Sequence, residues 1–267
     1  MEEKRNNSKL EKSDIILGLI LIFVVIYELI SMFLLEKTLL ISLINMSVTR
    51  VLAGVFFLLI AIKRKYKLVS FEGKKSLLGL VSILPCFLVV INNLPIIALV
   101  NKDVVYDAPL HYLLLFIIQC IAIGFFEEIA FRGVFFLMFL KTRRNTKGEL
   151  FKVILISSVV FGMYHIFNLL EGANPLGVLM QVGYSALIGA MCAMIFLITK
   201  NILIPIIIHA GFDFCGTLIP TLGKGSIWNT PTVIITIVIA VAVFVYMLCL
   251  FIKFDVRETD CFYKDLQ

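Results

Sequence analysis

The chain has 267 residues, of which 61% are hydrophobic and only 16% are charged. Soluble domains average roughly 45–50% apolar and about 25% charged residues, so the composition excludes a soluble globular fold and a secreted disulfide scaffold. The net charge of +6 comes from Lys and Arg in short loops without an aromatic-rich basic pattern, so no nucleic-acid partner is expected. The composition therefore predicts an all-α, polytopic membrane protein whose surroundings are the lipid bilayer.

Apolar runs separated by short polar loops predict about eight transmembrane helices in a single transmembrane domain over residues 1–267. Each run approaches the roughly 20 apolar residues that a helix needs to cross the hydrocarbon core. Gly183 and Gly189, in the sixth run, are expected to allow close contacts between helices. The runs lie at about 15–35, 39–62, 77–100, 113–140, 152–170, 176–199, 202–219 and 231–252.

Lysine and arginine are shared unevenly between the two sides of this predicted topology. Of the 22 that fall outside the spans, 19 lie in the loops and tails of one side and three on the other side. Cytoplasmic segments are enriched in these residues, so both termini are expected in the cytoplasm. The expected location is the cytoplasmic membrane of a bacterium, as a multi-pass protein.

Ionisable residues inside the predicted spans are concentrated in the second half of the chain. A charged side chain at the bilayer centre costs about 2.5–3.5 kcal/mol, so each such residue needs a partner or a function. At about 1.5 Å per residue, Glu127, His165 and His209 fall within about 6 Å of the midplane on three separate helices. Asp213 follows His209 by one helical turn and shares its face. This depth matching predicts a functional site.

Two pairs of opposite charges accompany these residues. Glu128 and Arg132 are four residues apart and are expected to form an internal pair on one helix face, with a structural role as open as a functional one. Glu127 is rotated by about 100° from Glu128 and is expected to face elsewhere, into a polar cavity shared with the two histidines. Arg50, near the middle of the second span, is predicted to form a structural pair with Glu28 in the first span.

Three short motifs carry a resemblance to a known family. They are Glu127-Glu128-Ile129-Ala130-Phe131-Arg132-Gly133 (EExxxR), Phe161-Gly162-Met163-Tyr164-His165 (FxxxH) and His209-Ala210-Gly211-Phe212-Asp213 (HxxxN/D). In this order and on separate spans, they resemble the CPBP family, the CAAX-protease and bacteriocin-processing intramembrane endopeptidases. The resemblance covers about residues 113–216, which are expected to form the motif-bearing catalytic core.

The resemblance implies an eight-helix fold and hydrolysis of a peptide bond within the membrane. It also implies that Glu127 activates water with help from His165, and that His209 and Asp213 stabilise the oxyanion. Many members have Asn where this chain has Asp213. An ionised Asp cannot donate a hydrogen bond to an oxyanion, so Asp213 is expected to be protonated or to orient His209. Supporting roles are implied for the remaining motif residues, Phe161, Glu128 and Arg132.

A metal-free glutamate mechanism without a cofactor is the preferred hypothesis, and a zinc mechanism is the alternative. Zinc takes nitrogen and oxygen ligands, which in that alternative are Glu127, His165, His209 and Asp213. The expected substrate is a peptide or protein precursor, such as a bacteriocin, a signalling peptide or a CAAX-like protein. Two other functions stay open: a non-catalytic immunity or scaffold protein of the same fold, and a transporter or proton relay. No oligomeric state is assigned.

Overall fold

The computed structural model describes residues 12–34, 38–70, 74–143, 145–170 and 172–263, and helices dominate these residues. Short 3₁₀ turns cover Leu84–Cys86, His165–Leu169 and Val256–Phe262, and a π-helix covers Ile129–Phe136. Two strands, β1 (Val104–Tyr106) and β2 (Gly223–Gly225), pair antiparallel with Val104 opposite Gly225. The all-α prediction is confirmed. The α-helices are α1 (Lys12–Leu34), α2 (Leu39–Lys63), α3 (Lys74–Ser82), α4 (Phe87–Asn93), α5 (Ile96–Val100), α6 (Leu110–Glu128), α7 (Leu137–Lys141), α8 (Lys147–Tyr164), α9 (Pro175–Thr199), α10 (Leu203–Leu222) and α11 (Thr230–Lys253).

Six helical stretches within the described residues are long and apolar enough to cross a membrane, so the predicted count of eight is not confirmed. The first predicted span coincides with α1, and the third is interrupted. Residues 1–11 and 264–267 lie outside the described part, so the cytoplasmic placement of both termini stays a prediction. The six stretches are Leu39–Lys63, Leu110–Lys141, Lys147–Leu169, Pro175–Thr199, Leu203–Leu222 and Thr230–Lys253.

The third predicted span is divided into α3, a 3₁₀ turn, α4 and α5. The break between α4 and α5 falls at Leu94, whose φ of −70° and ψ of 130° are extended. Extended backbone is expected there because the ring of Pro95 clashes with a helical conformation of the residue before it. Asn93 Nδ2 donates a hydrogen bond of 2.7 Å to the backbone oxygen of Phe212. The broken segment is therefore anchored against α10.

Glycines let the helices around the centre of the molecule approach closely. A Cβ atom added at Gly162 in α8 would lie 2.5 Å from the backbone oxygen of Val182 in α9. One added at Gly124 in α6 would lie 3.0 Å from the backbone oxygen of Ile206 in α10. Neither position accommodates a larger side chain without a shift of one helix. These two contacts hold α8 to α9 and α6 to α10.

The two glycines expected at helix contacts differ. Gly189 confirms the expectation, since a Cβ atom there would lie 3.3 Å from the Cα atom of Ser158 in α8. The expectation is wrong for Gly183, where an added Cβ atom would meet no atom of the described chain within 4 Å. Gly183 lies on an exposed face of α9. It therefore takes no part in a contact between helices of the described chain, although it is only six residues from Gly189.

We expect Gly162→Ala to lower the stability of the purified protein by about 1–3 kcal/mol, because the new methyl group forces α8 and α9 apart. The matched control is Gly183→Ala, on the helix that Gly162 contacts. Alanine is favoured over glycine inside a helix by about 1 kcal/mol, so the control is expected to be neutral or stabilising. Thermal unfolding in detergent measures both variants. Equal melting temperatures for the two variants would contradict the close approach at Gly162.

The C-terminal 3₁₀ turn, Val256–Phe262, packs against the end of the π-helix. The hydroxyl of Tyr263 donates a 2.9 Å hydrogen bond to the backbone oxygen of Leu137, the first residue after the π-helix. The ring of Phe262 lies 4.8 Å from the ring of Phe196 in α9, measured between centroids. The segment therefore supports the π-helix from its C-terminal end.

Candidate active site

The site begins where α6 gives way to the π-helix. Glu127 and Glu128 are the last two residues of α6, and all eight residues of the π-helix, Ile129–Phe136, are buried. π-Helical segments are rare in proteins, and those that occur are often found at functional sites. Glu127 is 4% exposed and Glu128 is fully buried, so both carboxylates depend on protein partners.

Glu128 binds two cationic or ring nitrogens with a single oxygen. Its Oε1 accepts a 2.8 Å hydrogen bond from Arg132 Nη1 and lies 2.7 Å from Nδ1 of His209. The predicted pairing of Glu128 with Arg132 is thus present. The expectation that this pair is separate from the histidines is wrong, because His209 enters from α10 and bonds to the same oxygen. Glu128 therefore fixes the orientation of the His209 ring.

Glu127 contacts the opposite nitrogen of the same ring. Its Oε2 lies 3.6 Å from Nε2 of His209, and its Oε1 lies 3.8 Å from Nη1 of Arg50. Within the described residues, Oε2 makes no hydrogen bond. The His209 ring thus lies between two consecutive carboxylates, one firmly bonded and one not. The rotation between neighbouring helical residues does not separate Glu127 from Glu128, because an imidazole ring presents nitrogens on two sides.

Asp213 lies on the more open side of this cluster. Its Oδ2 is 3.5 Å from Nε2 of His209, one helical turn earlier in α10, and its side chain is 24% exposed. The close approach of α10 to α6 at Gly124 brings this turn of α10 beside Glu127. Nε2 of His209 therefore faces two carboxylate oxygens at nearly equal distances.

His165 joins the cluster through an aromatic ring. It begins the 3₁₀ turn at the end of α8, and its Nδ1 lies 3.2 Å from the backbone oxygen of Phe161. A carbonyl oxygen only accepts, so Nδ1 carries the proton in this contact and Nε2 of the neutral ring is left as an acceptor. The ring of Phe161 lies edge-on to His165 at 5.2 Å and to His209 at 5.7 Å.

Phe161 also supports the guanidinium that holds Glu128. The Cζ atom of Arg132 lies 4.2 Å from the centre of the Phe161 ring, a favourable cation–π distance. A Cβ atom at Gly189 would lie 3.0 Å from Nη2 of Arg132 and 3.1 Å from Cδ1 of Phe161. Only a residue without a side chain leaves room there for this stack. The Phe161 ring lies between Arg132 and the two histidines, which fits the supporting role implied for this residue.

Arg50 and Tyr164 reach the site although the sequence analysis did not assign them to it. Nη1 of Arg50 donates a 2.8 Å hydrogen bond to the hydroxyl of Tyr164 and is the guanidinium nitrogen that faces Glu127. The side chain of Glu28, the predicted partner of Arg50, lies outside the described part of the chain, so that pairing stays a prediction. Arg50 could have been assigned to the site from the sequence, because an arginine in the middle of an apolar span is rare.

The described residues contain no group of three or more His, Cys, Asp or Glu side chains arranged to hold a metal ion. The four alternative zinc ligands therefore do not form a ready metal centre in this arrangement. Nδ1 of His209 is engaged by Glu128, and Nδ1 of His165 faces a backbone oxygen. The zinc alternative stays a hypothesis for chemical analysis.

Residues 109–215 match the family described as type II CAAX prenyl endopeptidase, Rce1-like. This segment is therefore similar to a family of CAAX-type membrane proteases. The resemblance drawn from the three motifs is confirmed. The CAAX-protease segment begins just before α6 and includes the seven motif residues that the sequence analysis selected. Arg50 lies outside it. No curated protein and no solved structure matches the chain significantly.

Proposed function

We propose that the chain is an intramembrane endopeptidase that hydrolyses a peptide bond in a membrane-associated peptide or protein precursor. The observation that carries this proposal is the environment of Glu127. Its Oε2 is buried, makes no hydrogen bond within the described residues and faces Nε2 of His209 at 3.6 Å. A carboxylate oxygen in this condition is available to bind and deprotonate a water molecule.

In the proposed reaction, Glu127 takes a proton from water while the water oxygen bonds to the carbonyl carbon of the scissile peptide. The C=O electron pair moves to the oxygen and forms a tetrahedral oxyanion. When the oxyanion collapses, the C–N bond breaks and Glu127 returns its proton to the leaving nitrogen. His165 assists by accepting a hydrogen bond from the same water at Nε2, the nitrogen that its contact with Phe161 leaves without a proton.

His209 is the proposed donor to the oxyanion. Its Nδ1 donates to Glu128, so Nε2 has a proton to offer only when the ring is an imidazolium. Three carboxylates surround this ring, and their charge stabilises the cationic form. Asp213, at 3.5 Å from Nε2, is proposed to orient that N–H. Preorganised donors of this kind are worth about 10²–10³ in rate each.

The proposed substrate class is tested with purified protein in detergent and in liposomes. Three internally quenched peptides form the panel: a farnesylated peptide ending in a CAAX sequence, the same peptide without the lipid, and an apolar leader-type precursor. Cleavage sites are read by mass spectrometry. Cleavage of at least one peptide at a single bond supports the proposal. No cleavage, together with proton flux across protein-containing liposomes, would overturn it in favour of a proton relay. No cleavage and no flux would favour a non-catalytic immunity or scaffold protein.

The metal-free mechanism predicts that Asp213→Asn retains cleavage activity, because an amide still contacts Nε2 of His209 and can itself donate a hydrogen bond. Asp213→Ala is the matched control, and we expect it to lose about 10²-fold in rate, because the His209 N–H that donates to the oxyanion then has no partner to orient it. Steady-state cleavage rates measure both variants.

Elemental analysis of the active protein and a chelation series complete this test. We expect less than stoichiometric zinc and a cleavage rate that chelation leaves unchanged. A zinc site predicts the reverse, because an amide is a poorer zinc ligand than a carboxylate. About one zinc per chain, with loss of metal and activity in Asp213→Asn, would replace the glutamate mechanism by a metal-dependent one with the same residues.

A further inference from the structure

We infer that Arg50 and Tyr164 form a positioning pair for Glu127, in which Tyr164 holds the guanidinium and the guanidinium holds the carboxylate in the orientation that the reaction needs. This inference rests on the proposed function of Glu127. It adds to the site a helix, α2, that lies outside the CAAX-protease segment.

Arg50 is held in place by contacts with residues other than Glu127. The residue is 8% exposed, and Nη1 donates to the Tyr164 hydroxyl at 2.8 Å. The Cζ atom lies 4.9 Å from the centre of the Phe126 ring, within the range of a cation–π contact. These contacts fix the guanidinium through residues other than Glu127. The cation therefore keeps its place when Glu127 gains or loses a proton.

The two carboxylates differ in how closely an arginine contacts them. Glu128 receives a direct hydrogen bond of 2.8 Å from Arg132, and Glu127 has Arg50 at 3.8 Å, an ion pair without a direct hydrogen bond. Oε1 of Glu128 has two close nitrogen partners, Arg132 Nη1 and His209 Nδ1, and an oxygen whose lone pairs are occupied in this way is a poor base. Oε2 of each of the two carboxylates makes no hydrogen bond within the described residues. The longer distance orients Glu127 through Oε1 and leaves Oε2, which is buried, without a hydrogen bond from the guanidinium. The contact with Arg50 therefore leaves Glu127 able to act as a base, whereas the contact with Arg132 anchors Glu128.

The two neighbouring carboxylates also require compensating positive charge. Glu127 and Glu128 are consecutive, and both carboxylates face His209. Like charges at such close quarters in a low-dielectric interior repel strongly. Arg132 offsets the charge of Glu128, and Arg50 is the guanidinium placed to offset the charge of Glu127. Tyr164 immediately precedes His165 in the FxxxH motif, so the same turn of α8 positions both a proposed water contact and the Arg50 partner.

The test uses Arg50→Gln, Arg50→Lys, Tyr164→Phe and the double variant Arg50→Gln/Tyr164→Phe, assayed with whichever panel peptide the wild type cleaves. We expect Arg50→Gln to lower kcat by about 10²-fold with little change in KM, the effect of misplacing a reacting group by about 1 Å. Arg50→Lys should recover part of this loss because it restores the charge without the fork geometry. Tyr164→Phe keeps the aromatic ring, and its kcat should fall less than that of Arg50→Gln.

The double variant separates positioning from a merely structural role. If Tyr164 acts through Arg50, Tyr164→Phe adds no further loss of kcat in the Arg50→Gln background, whereas independent structural effects multiply. Tyr246→Phe is the matched control, because it removes a tyrosine hydroxyl outside the site, one that donates to the backbone oxygen of Ser82. It should leave kcat unchanged.

The outcomes are distinguishable from those of the proposed function itself. A wild type that cleaves, a Glu127→Gln variant that does not and an Arg50→Gln variant with wild-type kcat would overturn the positioning pair and leave the endopeptidase proposal standing. Multiplicative losses in the double variant, with melting temperatures that fall in parallel, would also overturn it. A Glu127→Gln variant that cleaves normally would overturn both.

Discussion

Glu127→Gln should abolish peptide cleavage while expression, membrane insertion and melting temperature stay near the wild-type values. The amide preserves the shape of the side chain and removes the base that accepts the proton from water, a loss of about 10²–10⁴ in rate. Stability should change little because the contacts of Glu127 with charged side chains among the described residues are long, 3.6 Å to His209 and 3.8 Å to Arg50. Cleavage of the panel peptide by the purified variant is the measurement.

Glu149→Gln serves as the control for this variant. Glu149 accepts a hydrogen bond from Lys152 in the first turn of α8, at the opposite end of this helix from Phe161, and its amide should retain full activity. Substantial cleavage by purified Glu127→Gln would end the assignment of this residue as the base. A variant that is inactive because it no longer folds would be recognised by its melting temperature.

Glu128→Ala and Arg132→Ala should lower yield, melting temperature and activity together. Each leaves one charge of a fully buried pair without its partner, and breaking such a pair costs about 3–5 kcal/mol. Glu128→Ala has a second effect, since its Oε1 also holds Nδ1 of His209. We therefore expect Glu128→Ala to reduce the specific activity of the remaining folded protein more than Arg132→Ala does. Thermal unfolding and the cleavage rate per folded molecule measure the two effects.

Glu149→Ala provides the comparison on the surface. It breaks the surface pairs of Glu149 with Lys152 and with Arg143, and exposed pairs are worth about 0–1 kcal/mol each. Its melting temperature should stay close to that of the wild type. Fully stable but inactive Glu128→Ala and Arg132→Ala variants would instead assign both residues to the chemistry.

The sequence was sufficient to locate the principal side chains of the candidate site. A charge in an apolar span is costly, so Glu127, His165 and His209 were conspicuous, and the structure brings Glu127 into contact with His209. The spacing of Glu128 and Arg132 was also sufficient, because an interval of four residues on one helix specifies a neighbour. This pairing could be predicted because it depends on the geometry of one helix alone.

Contacts between helices that are distant in the sequence could not be predicted from the sequence. The bond of His209 to Glu128 and that of Arg50 to Tyr164 join residues 81 and 114 positions apart, and no periodicity specifies such a pair. Hydropathy merged α3, α4 and α5 into one apolar span, since an average over 20 residues does not register the extended backbone that Pro95 imposes on Leu94. The π-helix likewise leaves no trace in a hydrophobic pattern.

The pairing of the two arginines has a consequence for the order in which the chain enters the bilayer. Synthesis proceeds from the N-terminus, so α2, with Arg50, precedes α6, and Arg132 enters as part of the same long stretch as its carboxylate partner. When Glu127 and Glu128 enter the hydrocarbon, Arg50 is thus already there and Arg132 enters with them. His209 and Asp213 arrive only with α10, into an environment that is already neutralised. Replacing Arg50 would thus expose nascent α6 to a charge imbalance before the active site exists.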